Sequence, residues 1–187
     1  MPGVAIQEFV SKLRSCSETD FVNVPLIHEL LRRHPVDRQS IEKYLNWDRR
    51  HYTRNLIAKT PLFELIAICW EVGQASSIHN HKGQNCWMAL PVGRLLVQSY
   101  LVLHQDLDAG ACDLTPSDLV EMNAASPCAV DPAHPVHKVY NPAEFQKRAV
   151  SLHVYSHPYD SCVVYSGDLH KCGMIKLSYT SEYGLRT

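Results

Sequence analysis

Apolar residues in the first fifty positions recur with a helical period. Ile6, Phe9, Val10 and Leu13 stand at i, i+3, i+4 and i+7, which is one face of a helix. Ile27, Leu30 and Leu31 repeat the pattern on a shorter piece, and Ile41, Tyr44 and Leu45 do so after the break at Pro35. From Tyr52 the texture changes. Runs such as FELIAICW, RLLVQSYLVL, AVSLHVY and CGMIKLSY are short, rich in β-branched and aromatic residues, and separated by Gly, Pro, Asn and Asp clusters. That is the spacing of an antiparallel sandwich or small barrel. The segment from His104 to Pro135, punctuated by Pro116, Pro127, Pro132 and Pro135, reads as a long irregular connection. The expectation is one domain over 1–187, with a helical layer over 1–50 and a β-barrel over 51–187.

Composition narrows the function. A chain of 187 residues can bury about two thirds of the surface its unfolded form exposes, so no cofactor is needed for folding. The formal net charge of −1 gives no general attraction to nucleic acid or to a membrane surface. The start of the chain lacks a basic stretch followed by an apolar run of signal-peptide length, and no segment approaches the roughly 18 apolar residues of a membrane span. A cytoplasmic protein is expected. Seven cysteines are scattered with no CxxC pair, which fits neither a disulfide framework nor a zinc ribbon. Eleven histidines are the unusual count, and they matter if several converge.

His79 and His81 are the first candidates. On a helix, side chains at i and i+2 leave in nearly opposite directions; on a strand they share a face and can lean toward one ion. The surrounding block, from Gly73 through His79, His81 and Cys86 to Gly93, reads G(x5)HxH(x4)C(x6)G. This resembles the first motif of the cupin superfamily, a mainly β fold built as a double-stranded β-helix (jelly-roll) barrel, with Cys86 standing where most cupins carry a glutamate ligand. His137 and Asn141 in HKVYN match the H(x3)N ending of the second cupin motif. His134 is a nearby rival for the third ligand, but only His137 has the asparagine at the right offset. Three neutral imidazoles on one face of an octahedron leave three adjacent positions open and supply no negative charge. Such a centre suits an anionic, chelating substrate together with dioxygen.

In SLHVY, Ser151, His153 and Tyr155 alternate with Val150, Leu152 and Val154, so one strand face is polar and the other apolar. If the apolar set packs under the helices, the polar set points into the barrel. Each buried polar group left unpaired there costs roughly 1–3 kcal/mol, so a relay from Ser151 through His153 to Tyr155 is expected.

YTRN at Tyr52, CW at Cys69, SSIHNH, Cys86, HKVYN, SLHVYS and the closing YGLRT together resemble the cysteine dioxygenase family over about three quarters of the chain. The resemblance implies Fe(II) bound by His79, His81 and His137, and oxidation of the thiol of free cysteine by O2 to cysteine sulfinate. It implies substrate-carboxylate binding by Arg54 with Tyr52 close by, and an active-site role for Tyr155 supported by Ser151 and His153. A thioether crosslink between Cys86 and Tyr155 follows from the same likeness. Arginine at position 54 favours free cysteine, whereas relatives that prefer 3-mercaptopropionate usually carry glutamine there. Dioxygenation of another small carboxylate-bearing thiol, and a non-catalytic metal-binding cupin, are the alternative readings. The expected partners are a small-molecule thiol and O2, and the chain is expected to be a monomer.

The sequence departs from the family after the tyrosine, where the usual Ser-Pro-Pro is Ser156, His157 and Pro158. A cis bond before a non-proline residue costs about 2.5–4 kcal/mol, so the expectation is a trans bond there or cis character moved to His157-Pro158. Cys162, His170 and Cys172 match no common metal spacing and read as buried thiols with a surface histidine.

Overall fold

The computed structural model describes residues 3–187. Among the described residues four short helices come first: α1 (Ile6–Arg14), α2 (Glu18–Val22), α3 (Val24–Arg33) and α4 (Arg38–Ile41), the last running into a 3-10 turn over Glu42–Tyr44. Their limits follow from local chemistry. Ser17 accepts from the Asp20 amide while the Asp20 carboxylate accepts from the Ser17 amide, a capping box that starts α2. Asn23 caps α3, and Pro25 occupies its first turn, where a missing N–H does no harm. No helix among the described residues is long and apolar enough to cross a membrane.

Thirteen strands follow: β1 (Thr53–Lys59), β2 (Glu64–Trp70), β3 (Ile78–His79), β4 (Asn85–Val92), β5 (Leu95–Asp106), β6 (Ala111–Met122), β7 (Cys128–Ala129), β8 (His137–Tyr140), β9 (Ala149–Ser156), β10 (Ser161–Ser166), β11 (Lys171–Lys176), β12 (Ser181–Glu182) and β13 (Leu185–Arg186). They form two sheets. One runs β13-β12-β1-β2-β9-β4-β7, and the other closes through β10-β11-β6-β5-β8-β3. The first sheet has two buried faces. On its outer face Leu65, Ala67, Trp87, Val150, Leu152 and Val154 pack with Ile6, Phe9, Leu13, Phe21, Ile27, Leu31 and Ile41 of the helices. Each large side chain fully buried in this layer contributes about 1.5–3 kcal/mol. On its inner face Leu56, Ile66, Ile68, Trp70, Cys86, Met88 and Tyr155 meet Leu95, Val97, Met122, Val139 and Cys162 of the second sheet.

This two-sided burial explains β9, whose eight residues are all buried. Its apolar set lies under the helices and its polar set faces the barrel interior; the alternation alone fixes only that the two sets lie on opposite faces. Gly93, the last position of the histidine motif, turns β4 into β5 with φ +80°, and a Cβ there would lie 2.6 Å from the Arg148 carbonyl oxygen. Only glycine meets both demands.

The expected irregular connection over His104–Pro135 is largely wrong. Strands β5 and β6 form a long hairpin, paired from Leu95 with Met122 out to Asp106 with Ala111. Pro116, read as a break, pairs with Tyr100 beside a register shift, and Gln98 Nε2 donates to the Ser117 and Asp118 carbonyl oxygens freed there. A proline next to a bulge lacks only a hydrogen bond that the bulge already forgoes. The true irregular stretch is shorter, from Asn123 to Val136, broken only by β7.

Candidate metal centre

His79 ends β3 and pairs directly with His137, the first residue of β8. The strand expected to carry both residues of the HxH pair stops at His79. His81 lies just beyond it, before the turn at Lys82 and Gly83, and swings back onto the same side. The ring centroids lie 5.3 Å apart for His79 and His81, 4.7 Å for His79 and His137, and 4.8 Å for His81 and His137. One ligand nitrogen from each comes within 4.8 Å of the others, and no carboxylate or thiol belongs to the cluster.

Hydrogen bonding leaves these rings free to bind an ion. His79 Nδ1 lies 2.9 Å from the Ser77 carbonyl oxygen, an acceptor only, so Nδ1 carries the proton and the Nε2 lone pair is free. Both nitrogens of His81 and both of His137 are buried without a partner. Such orphaned groups are costly unless something fills the space between them. Burial lowers the His79 pKa to about 4, and burial followed by the neighbouring imidazoles holds His81 and His137 well below the usual histidine range. The rings are therefore neutral at physiological pH, the protonation state a metal requires. The donor set fits a divalent ion that accepts nitrogen ligands and keeps open positions.

The polar face of β9 forms the expected relay and extends it. Trp70 Nε1 donates to Ser151 Oγ at 2.9 Å, Ser151 Oγ lies 2.8 Å from His153 Nε2, and His153 Nδ1 lies 3.0 Å from Tyr155 Oη. Trp70 can only donate, so we assign the Ser151 proton to His153 Nε2 and the ring proton to Nδ1, which donates to Tyr155. The Tyr155 hydroxyl hydrogen is then left outside this line of bonds. Cys86 on β4 stands directly across from Tyr155, and both are buried. Burial pushes both pKa values well above their ordinary range, so thiol and phenol are protonated.

Arg54 reaches the same interior from β1, with Nε and Nη2 buried and unpartnered. The Tyr52 ring stacks on Trp70 at 4.7 Å. Sequence reasoning missed Tyr159. Its ring packs edge-on to Tyr155 at 5.0 Å and to His81 at 6.1 Å, and its hydroxyl is buried without a partner. It follows β9 in a segment with no periodicity to betray its direction. The rival His134 is exposed and pairs with Asp131 at 3.1 Å. Cys162 packs in the central core, whereas Cys172 packs in a separate cluster with Cys112 and Tyr165. His170 pairs at the surface with Asp113. The Ser156-His157 peptide is cis, contrary to both expected arrangements. The residue after it is anchored on both sides, since the His157 amide donates to Gln84 Oε1 and its Nδ1 lies 3.0 Å from the Pro61 carbonyl oxygen.

The topology and the three converging imidazoles define the class: a double-stranded β-helix barrel of the cupin type, able to hold a metal in its interior. A family model described as cysteine dioxygenase type I matches residues 3–168, and the chain belongs to that family of enzymes. Cysteine dioxygenase type 1 of Danio rerio is 28% identical over 183 residues, covering 97% of this chain and 89% of that protein. The Homo sapiens protein of the same name is 28% identical over 170 residues, covering 90% and 82% respectively. Among solved structures, an uncharacterized conserved protein with a double-stranded β-helix domain from Klebsiella pneumoniae matches 63% of this chain and 86% of its own. The TM-score is 0.49, with 13% identity.

Proposed function

We propose that this chain oxidises the thiol of free L-cysteine with O2 to cysteine sulfinate, with Fe(II) held by His79, His81 and His137, in cysteine catabolism. The observation that supports it most is the pairing of unsatisfied groups in one interior: imidazole nitrogens without partners on one side, and an unpartnered guanidinium on the other. His79, His81 and His137 would hold ferrous iron, which would supply the redox chemistry for uniting thiol and dioxygen. The reaction balances as RSH + O2 giving RSO2H, with both oxygen atoms on sulfur.

The protein groups do the binding and orienting. Arg54 offers a planar fork to the substrate carboxylate and keeps its charge at any physiological pH. The Tyr155 hydroxyl, fixed through His153, Ser151 and Trp70, donates toward the carboxylate or the reacting oxygen. Tyr52 and Trp70 wall the pocket and exclude water. Holding the reacting groups in one geometry can contribute several kcal/mol, with about 7–11 as an upper range. Cys86 and Tyr155 join as a thioether with loss of two hydrogens to O2, which pins the ring and removes a competing thiol. The 187 residues act as a single cupin domain and as a monomer in the cytoplasm.

The test is oxygen uptake by the Fe(II)-loaded chain on addition of cysteine. One sulfinate per O2 consumed is expected, and Arg54→Gln should raise KM for cysteine far more than for cysteamine, which lacks the carboxylate. Absence of thiol-dependent uptake would leave a metal-binding cupin.

A further inference from the structure

Glu64 is a fully buried carboxylate to which the reaction above assigns no role. Along β2 it alternates with Ile66, Ile68 and Trp70, all of which face the barrel interior. Its register partners are Lys59 on β1 and Tyr155 on β9, so it stands directly across from the pocket tyrosine. Arg54 precedes the interior residue Leu56 by two positions and shares its face. The carboxylate is held at one end only. Oε2 accepts from the Tyr179 hydroxyl, which Lys59 Nζ approaches at 3.4 Å, while Oε1 is buried with no partner. The segment carrying Tyr179 is tied to Arg54 itself, through the Thr180 amide to the Arg54 carbonyl oxygen at 2.7 Å and the Arg54 amide to Thr180 Oγ1 at 3.1 Å.

A buried guanidinium with two unpaired N–H groups needs negative charge nearby, and Glu64 makes no direct ion pair with it. We propose that Glu64 is the internal counter-charge of Arg54, a specificity-determining residue that balances the guanidinium in the free pocket and moderates its pull on substrate carboxylates. This rests on the reading of Arg54 as the carboxylate-binding group. Burial raises the Glu64 pKa overall, while Tyr179, Arg54, Lys59 and the Tyr159 backbone amide act in the opposite direction by favouring the ionised form.

The consequence is selectivity. An incoming carboxylate must share Arg54 with Glu64, and the two anions repel. A simple carboxylate then gains little on its own, whereas a thiol that also binds through sulfur is retained. Arg54 without Glu64 would be an indiscriminate carboxylate trap. A single charge beyond ion-pair range changes the binding of a nearby anion by about three- to ten-fold.

The experiment uses the full chain in two arms, with Glu64→Gln as the variant because it keeps the shape and the acceptor for Tyr179. In the metal-free protein, propionate binding followed by thermal shift and calorimetry should tighten about three-fold or more in Glu64→Gln and be lost in Arg54→Ala. In the Fe(II)-loaded protein, KM for cysteine should fall by a similar factor while kcat stays within about two-fold. Unchanged or weaker propionate affinity in Glu64→Gln overturns the proposal, as does propionate binding that survives Arg54→Ala. If Glu64→Gln gives no cooperative unfolding, Glu64→Met, which removes the charge at similar volume, takes its place with the same expected shifts; no movement overturns the proposal. Arg54-dependent propionate binding without any turnover of cysteine would sink the dioxygenase reading and leave the counter-charge intact.

Discussion

Oη of Tyr155 lies 3.0 Å from Nδ1 of His153, two residues earlier on the same strand. The line continues through Ser151 to Trp70, so the position of one pocket hydroxyl is fixed by three side chains behind it. Replacing His153 by Gln should lower kcat about ten- to a hundred-fold while leaving bound metal unchanged. Steady-state kinetics with metal analysis on the same samples would check this. Adding His153→Gln to Tyr155→Phe should cost little more, because both act through the same hydroxyl.

Metal content should track the three imidazoles. His79→Ala, His81→Ala and His137→Ala should each reduce bound iron at least about ten-fold, and His134→Ala should not. Elemental analysis after desalting measures it. A His134 variant that loses iron would refute the assignment of the trio.

Acid should destabilise the metal-free fold. Burial, with Arg54 as the next cause, lowers the His153 pKa to about 3, and burial lowers that of His79 to about 4. Unfolded histidine takes up its proton near 6.5, so between about 6.5 and 4 the unfolded chain binds more protons than the folded one. Stability is then full above about 6.5 and declines as pH falls toward 4. Urea midpoints at pH 7.5, 6 and 5 should fall in that order, with a shallower fall for His153→Gln. Midpoints that do not move across this range would contradict the neutral, buried assignment.

The Cys86-Tyr155 bond should appear in intact mass as the loss of two hydrogens after aerobic turnover with iron and cysteine. The species should be absent from Cys86→Ser and Tyr155→Phe. Full activity in a preparation without it would show that the thioether is dispensable.

The layer between sheet and helices should be sensitive to volume. Leu152 is 1% exposed and packs among helix residues on the face of β9 away from the pocket. Leu152→Ala should destabilise the fold by about 2–5 kcal/mol through lost burial and the cavity left behind. Denaturant unfolding reads the loss directly.

Much of this architecture is legible in the chain. The helical stripe from Ile6 to Leu13 and the alternation in β9 each encode which way a side chain faces, because an element with one buried face repeats that demand at a fixed period. The β5-β6 hairpin was illegible for the converse reason. From residue 101 outward, β5 is solvent-exposed on both faces, so no alternation marks it, and Pro116 disguises the partner strand. The site divides in the same way. His79, His81 and His137 could be named from their likeness to the cupin motifs, whereas nothing around Tyr159 or Glu64 indicates which interior either one enters.

By itself the sequence determined the helical start, the change to strands near residue 52, the two opposite faces of β9 and the residues chemically able to bind a metal, since these depend on local period and residue type. Only the tertiary structure decided that His81, lying past the end of its strand, joins a residue from β8, and that Arg54, Glu64 and Tyr159 enter one interior from three separate segments. The physical reason is that closing a barrel brings distant strands to within a few ångströms, and the register that does so is set by the packing of both sheets together rather than by any one stretch of chain.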